Sequence, residues 1–169
     1  MLIPKIAFLI LMLVGLVLSL PPAEPTWDTP ADIAALAILN DPTPKPVDLS
    51  FMPELAQHNI TAQTSYICDT TTGSPRVADL RQLATNLRDR FGDAMCRQEN
   101  LGGSQCTQLL AYGNAGESLC GEPLRWIPCR TAALVGFWIA DHCEWNGLVG
   151  GRFWFDDSPP SIIAVHKRF

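Results

Sequence analysis

The six cysteines of this chain, Cys68, Cys96, Cys106, Cys120, Cys129 and Cys143, all lie between residues 68 and 143, and the sequence before them has none. An even set confined to one stretch of a small chain reads as a disulfide framework built in an oxidising compartment. No C-x-x-C occurs, so neither a zinc ribbon nor a thioredoxin-like redox motif is available. No metal or other cofactor is expected. A Cys–His nucleophile would need a free, activated thiolate, which pairing removes. Which cysteine joins which stays open, since six can pair in many ways.

The start of the chain supplies the compartment. After Lys5 an apolar run extends from Ile6 to Leu18, and Pro21-Pro22 closes it. A basic residue, a short apolar core and small residues at a break describe a secretory signal peptide spanning 1–19, cleaved after Ser19. The run is shorter than the ~20 residues that cross a bilayer. The predicted location is therefore secreted and extracellular, with a membrane met only through a cell-surface target. Asn59-Ile60-Thr61 is a glycosylation acceptor, in keeping with secretion. Removing the leader takes away Lys5 and no acid, so the mature chain is one unit more acidic than the net −5 of the whole sequence. That balance disfavours a nucleic-acid binder, whose affinity rests on a basic surface, and leaves room for a ribonuclease with a local basic groove.

Residues 20–65 read as a proline-rich arm or pro-segment. Most of the prolines fall there and no cysteine does, and each proline removes a ladder donor. One short helix is predicted in "TPADIAALAIL": Thr29 caps it, Pro30 suits its first position, and Ile33, Leu36 and Leu39 form its stripe. Residues 66–169 read as one cysteine-rich domain of ordinary size.

Within that domain "TSYIC", Thr64 to Cys68, is a strand. A helix follows, with Ser74 as N-cap, Pro75 in its first turn and Gly92 at its end. Val77, Leu80, Ala84, Leu87 and Phe91 recur at helical spacing as its buried face. "CTQLLAYGNAGESLCG" is a hairpin turning at Gly113-Asn114-Ala115-Gly116. "CRTAALVGFWIADHC" is a second helix, apolar over a wide arc and ended by Asn146-Gly147. Two strands close the chain: one through Leu148, Val149, Phe153 and Phe155, with a bulge or close backbone contact at Gly150-Gly151 inside it, and one through Ile162, Ile163 and Val165. Asp156 and Asp157, between these strands in "DDSPP", are turn residues rather than a catalytic pair, since neighbours in an extended chain face opposite ways.

The order β-α-β-β-α-β-β predicts a disulfide-stabilised α+β sandwich, one antiparallel sheet covered by two helices. If its connections are ferredoxin-like, Cys68 and Cys143 come together at one edge and the other four cysteines gather at the opposite edge.

The stretches "TTGSPRVADLRQL", "GGSQC" and "NGLVGGRFWF" resemble those of secreted fungal proteins of the killer-toxin and necrosis-inducing-effector type. The resemblance runs from about Cys68 to Phe155. It implies an α/β-sandwich, a secreted setting and toxin or effector activity. The first helix carries Asp79-Leu80 where those effectors tend to have Asp-Cys.

Few residues offer chemistry. No G-x-S-x-G, H-E-x-x-H or P-loop spacing is present, so no catalytic residue is assigned. Asp141, His142 and Glu144 at the end of the second helix would be the acid–base group of a small hydrolase or nuclease, though helix ends are ordinarily polar. Trp126, Trp138, Trp145 and Trp154 are many for one domain. Trp138 belongs to the core, and Trp145 and Trp154 are the candidate binding residues of a carbohydrate-binding module or a protein contact. Lys167-Arg168 is either a processing signal or a charged, solvated tail. The predicted function is a secreted cysteine-rich effector or toxin-like protein that binds an extracellular protein or glycan at another cell's surface.

Overall fold

A computed structural model describes residues 29–48, 53, 64–155 and 161–168. The predicted leader, the Asn59 acceptor and the Asp156-Asp157 turn lie outside these residues. In chain order the elements are α1 (Pro30–Leu39), β1 (Lys45–Pro46), β2 (Thr64–Cys68), α2 (Val77–Phe91), β3 (Met95–Arg97), β4 (Cys106–Tyr112), β5 (Ala115–Gly121), β6 (Trp126–Pro128), α3 (Cys129–His142), β7 (Glu144–Trp145), β8 (Leu148–Val149), β9 (Gly151–Phe155) and β10 (Ser161–Lys167).

The architecture is α+β. Strands in the order β1-β2-β9-β10-β5-β4 form one six-stranded sheet, with every neighbouring pair antiparallel. Helices α2 and α3 pack side by side on one face, α2 against β4 and β5 and α3 against β9 and β10. Period-2 alternation sorts the strand residues between faces. Phe153, Phe155, Ile163, Val165 and Leu119 are buried under the helices. Arg152, Trp154, Ile162, Ala164, His166, Ser118 and Cys120 share the other face, as their registers require.

The connections are not ferredoxin-like. β10 enters the middle of the sheet between β9 and β5, which keeps all pairs antiparallel. All seven of its residues pair with β5 and the first five also with β9, and they alternate between the faces. Three disulfides nevertheless fall at the two edges: Cys68–Cys143 on the β2 side, and Cys96–Cys129 and Cys106–Cys120 on the β4 side. No described cysteine is free.

α2 begins at Val77, later than Ser74 would place it. Ser74 instead closes a turn, its Oγ accepting from the Thr71 amide at 2.9 Å. The first helical amides find partners across the fold. Arg76 N donates to Asn114 Oδ1, and Val77 N to the Gly147 carbonyl. Asp79 returns the contact by accepting from Asn114 N at 3.1 Å. The β4–β5 turn and the start of α2 therefore satisfy each other's orphan groups. That turn is tighter than predicted, two residues with Gly113 at φ 54°. The buried face of α2 is Leu80, Leu83, Ala84 and Leu87. Phe91, expected on it, is the last residue of the helix and is 42% exposed.

α3 ends at His142. Asn146 and Gly147, at φ 49° and 78°, form the two-residue turn of a β7–β8 ribbon instead, the type that needs two left-handed residues. Small residues line α3 where it is most enclosed. A side chain at Gly136 would meet Ala84 Cβ at 3.2 Å and Glu117 Oε2 at 2.7 Å. Gly150-Gly151 makes the close backbone contact expected of it, with the Asp69 and Ile67 carbonyls pressed against the two glycines. Trp138, expected in the core, is half-buried at its margin.

Part of the proline-rich stretch joins the sheet. β1 pairs with β2 at its edge, and Asn40, the C-cap of α1, makes a two-way amide pair with the backbone of Thr70. α1 carries Leu39 onto the core, while Ile33 and Ile38 are exposed. Its predicted stripe is thus only partly used.

Candidate functional site

The group predicted at the end of α3 is not assembled. The Asp141 carboxylate takes Arg81 of α2 as its partner. His142 stacks on Trp138, ring centroids 3.8 Å apart and planes 14° from parallel, with Tyr66 edge-on at 5.7 Å. Its Nδ1 lies 2.9 Å from the Trp138 carbonyl; a carbonyl only accepts, so that nitrogen holds the proton. Glu144 is exposed on β7. The three side chains turn to three different surroundings. Among the described residues no group of three or more His, Cys, Asp or Glu is placed to hold a metal.

The two candidate tryptophans are also apart in the fold. Trp145 is half-buried in the β7–β8 ribbon opposite Leu148. Trp154 is half-buried on β9, on the sheet face away from the helices, with the Arg152 guanidinium 5.2 Å from its ring. Arg152 in turn grips Asp69 through Nε and Nη2. The pair shares neither a strand nor a sheet, so no row of aromatics forms.

A different tryptophan occupies the exposed apolar surface. β3 and β6 pair as a two-stranded ribbon, Met95 opposite Pro128, Cys96 opposite Ile127 and Arg97 opposite Trp126. Alternation buries Cys96 and Ile127 and turns Met95 and Trp126 outward, 56% and 52% exposed. Phe91 and Leu124 stand at the two ends of this ribbon, also exposed. Beside it a groove of about 250 Å³ runs between the last turn of α2, β3 and the edge strand β4. Phe91, Met95, Arg97 and Leu109 line it.

The ribbon is held rigidly. The Cys96–Cys129 disulfide ties β3 to the first residue of α3, and Cys129 N donates to the Ala94 carbonyl at 2.9 Å. Gln98, fully buried, donates to the Asn100 and Gly121 carbonyls and accepts from Thr107. Thr107 Oγ1 receives the amides of Glu99 and Asn100. Buried polar side chains satisfied in this way fix a loop in one conformation.

Two further placements escape a reading of the sequence. Glu117 of β5 points at Gly136 inside the core, with neither carboxylate oxygen bonded to a partner among the described residues. Burial pushes its pKa up to about 8, because a charged carboxylate is poorly solvated there. On the opposite face Ser118 Oγ lies 2.7 Å from His166 Nε2. Lys167, expected in a solvated tail, closes β10 opposite Ala115, and Arg168 N donates to the Asn114 carbonyl.

Compared with known proteins, the chain matches no protein-family model, no curated protein and no solved structure.

Proposed function

We propose that this chain is a secreted, effector- or toxin-like protein that binds a protein target at another cell's surface through the β3–β6 ribbon. The observation that carries this reading is the pair Met95 and Trp126, each more than half exposed on a ribbon that a disulfide holds in place. Water-exposed Met, Trp and Phe grouped on one surface are what interface cores are made from. Arg97 between them adds a group able to bond carboxylates in two places at once. A platform already rigid loses little conformational freedom on binding.

The three disulfides fit an oxidising compartment, and no described helix is long and apolar enough to cross a membrane. The resemblance of "TTGSPRVADLRQL" and "NGLVGGRFWF" to fungal killer-toxin and necrosis-inducing-effector proteins supports the same setting. A glycan-binding reading would use Trp145 and Trp154 instead, and their half-buried, separate positions favour it less.

The test is saturable binding of the labelled, full-length secreted protein to intact cells. The double variant Met95→Ala, Trp126→Ala is expected to bind ~10- to 100-fold more weakly, the range for losing two interface anchors, with an unchanged melting midpoint. Binding equal to that of the native chain would sink the proposal. Loss on Trp145→Ala instead would move the site to the other ribbon.

A further inference from the structure

The sheet face turned away from the helices carries a groove that the binding surface does not use. Its volume is about 290 Å³, and Ser104, Cys106, Gln108, Ser118, Cys120, Ala164 and His166 line it. In the ladder His166 stands opposite Gly116 and Ser118 opposite Ala164, so the two side chains are diagonal neighbours on one face. Gly116 makes their meeting possible. A Cβ there would lie 2.8 Å from His166 Cε1 and 3.0 Å from Gln108 Oε1. The imidazole occupies the space a side chain would fill.

The hydrogen bonds set the direction of the pair. His166 Nδ1 is 2.8 Å from the carbonyl oxygen of Lys167. A carbonyl accepts only, so Nδ1 donates and Nε2 is left with its lone pair. Ser118 Oγ, 2.7 Å from Nε2, is then the donor. A hydroxyl bonded to an imidazole base, the base oriented by a third group behind it, is the arrangement of an activated nucleophile. Here a main-chain carbonyl takes the orienting place.

We propose that Ser118 and His166 form a nucleophile–base pair that hydrolyses small carboxylic esters in this groove. Ser118 Oγ adds to the ester carbonyl carbon as its proton passes to His166 Nε2, and the carbonyl π pair moves onto oxygen. Gln108 stands opposite Ser118 in the ladder and lines the groove, and its side-chain amide is the donor assigned to that oxyanion. Collapse reforms the carbonyl, breaks the bond to the alcohol oxygen, and returns the His166 proton to that oxygen. Water then attacks the acyl-serine, giving its proton to His166, which passes it to Ser118 Oγ as the acid leaves.

The groove dictates the substrate class. Its volume is at the lower limit of ligand pockets, which run ~300–1,000 Å³, and Ser118 is only 3% exposed. The Cys106–Cys120 disulfide and Ala164 give it apolar walls. A short acyl group fits and a polymer does not. The strand amides of β5 are committed to the ladder, so one side-chain donor replaces a two-amide oxyanion hole, and turnover is slow.

The full-length secreted protein is treated with a fluorophosphonate, which phosphonylates activated serines, and assayed on p-nitrophenyl acetate. One adduct is expected, on the peptide carrying Ser118, and none in Ser118→Ala. Ester hydrolysis is expected to fall ~100-fold or more in both Ser118→Ala and His166→Gln, the usual loss on removing a nucleophile or base. Intact disulfides and a native melting midpoint establish that each variant folds. If a variant fails to fold, the adduct map of the native chain decides alone. Absence of an adduct on Ser118, or labelling of His166→Gln at the native rate, overturns the proposal. Cell binding by Ser118→Ala equal to native keeps this activity separate from the ribbon surface.

Discussion

Two small ribbons flank the ends of α3, built alike and covered differently. β6 leads into the helix and pairs with β3, and β7 leaves it and pairs with β8. Each is anchored by a disulfide at a helix end, Cys129 bonded to Cys96 and Cys143 bonded to Cys68. The second ribbon has a further neighbour. Val149 N donates to the Pro75 carbonyl, Val77 N to the Gly147 carbonyl, and Arg76 bridges Leu148. The start of α2 thus closes over it, burying Val149 completely and Trp145 in part. Among the described residues nothing equivalent covers Met95 and Trp126 on the first ribbon, and both are exposed. Both ribbons put residues into the core, and the first also presents large exposed apolar side chains.

The largest effect that sharpens this comparison comes from the anchors. The Cys68–Cys143 link spans 75 residues and Cys96–Cys129 spans 33. Closing those loops restricts the unfolded chain by about 4.5 and about 3.7 kcal/mol in the chain-entropy account. Replacing each pair with alanine and measuring urea unfolding should give losses in that order. Beyond stability, losing Cys96–Cys129 should also weaken cell binding, and losing Cys68–Cys143 should not. The reverse pattern breaks the comparison.

Next comes the carboxyl group between the ribbons. Glu117 sits against Gly136 in the middle of α3, and its pKa is raised from 4.5 to about 8. A raised folded-state value means the folded protein holds the proton more tightly. The stabilisation is complete below pH 4.5 and is lost as pH rises through about 8. The total is on the order of a few kcal/mol. Melting midpoints should therefore fall from acid to mildly alkaline pH, and Glu117→Gln should flatten that slope. A native profile that does not fall would contradict the buried, unpartnered placement. Smaller still, Val149→Ala should cost ~1–2 kcal/mol and Trp126→Ala ~0.5 kcal/mol or less, as suits a buried and an exposed position.

The three helices and the five longer strands, in their order, were readable from period and punctuation, and the two- and three-residue strands β1, β3, β6, β7 and β8 were not. Leu80, Ala84 and Leu87 at helical spacing, the alternation through Phe153 and Phe155, and Gly92 after α2 each state a local preference that the fold keeps. What was not readable depends on distant neighbours. Ser74 looked like a cap because the sequence cannot show that Asn114 would take the Arg76 amide. Asn146-Gly147 looked like a helix stop because β7 and β8 are two residues each, too short to signal a hairpin. The place of β10 in the sheet follows from which edges are free, and no periodicity records that.

The candidate site was harder for the same reason. Trp145 and Trp154 stood out as aromatic residues near a helix end and among strand formers. Trp126 carried the same chemistry, and it is exposed at the first position of a three-residue strand whose other two residues are buried. One signal was available. In "RWIPC" the apolar Trp126 and Ile127 are adjacent, so in an extended segment one must face away from the core. Ser118 and His166 are far apart in sequence, and only the β5–β10 register joins them.

The most direct test of the ribbon as recognition surface is site-specific photocrosslinking on target cells, with a photoreactive side chain at position 126 in one protein and at 145 in another. The account predicts a discrete crosslinked cell-surface protein from position 126 and none from position 145. A crosslink from 145 alone, or from neither position while binding persists, would contradict it.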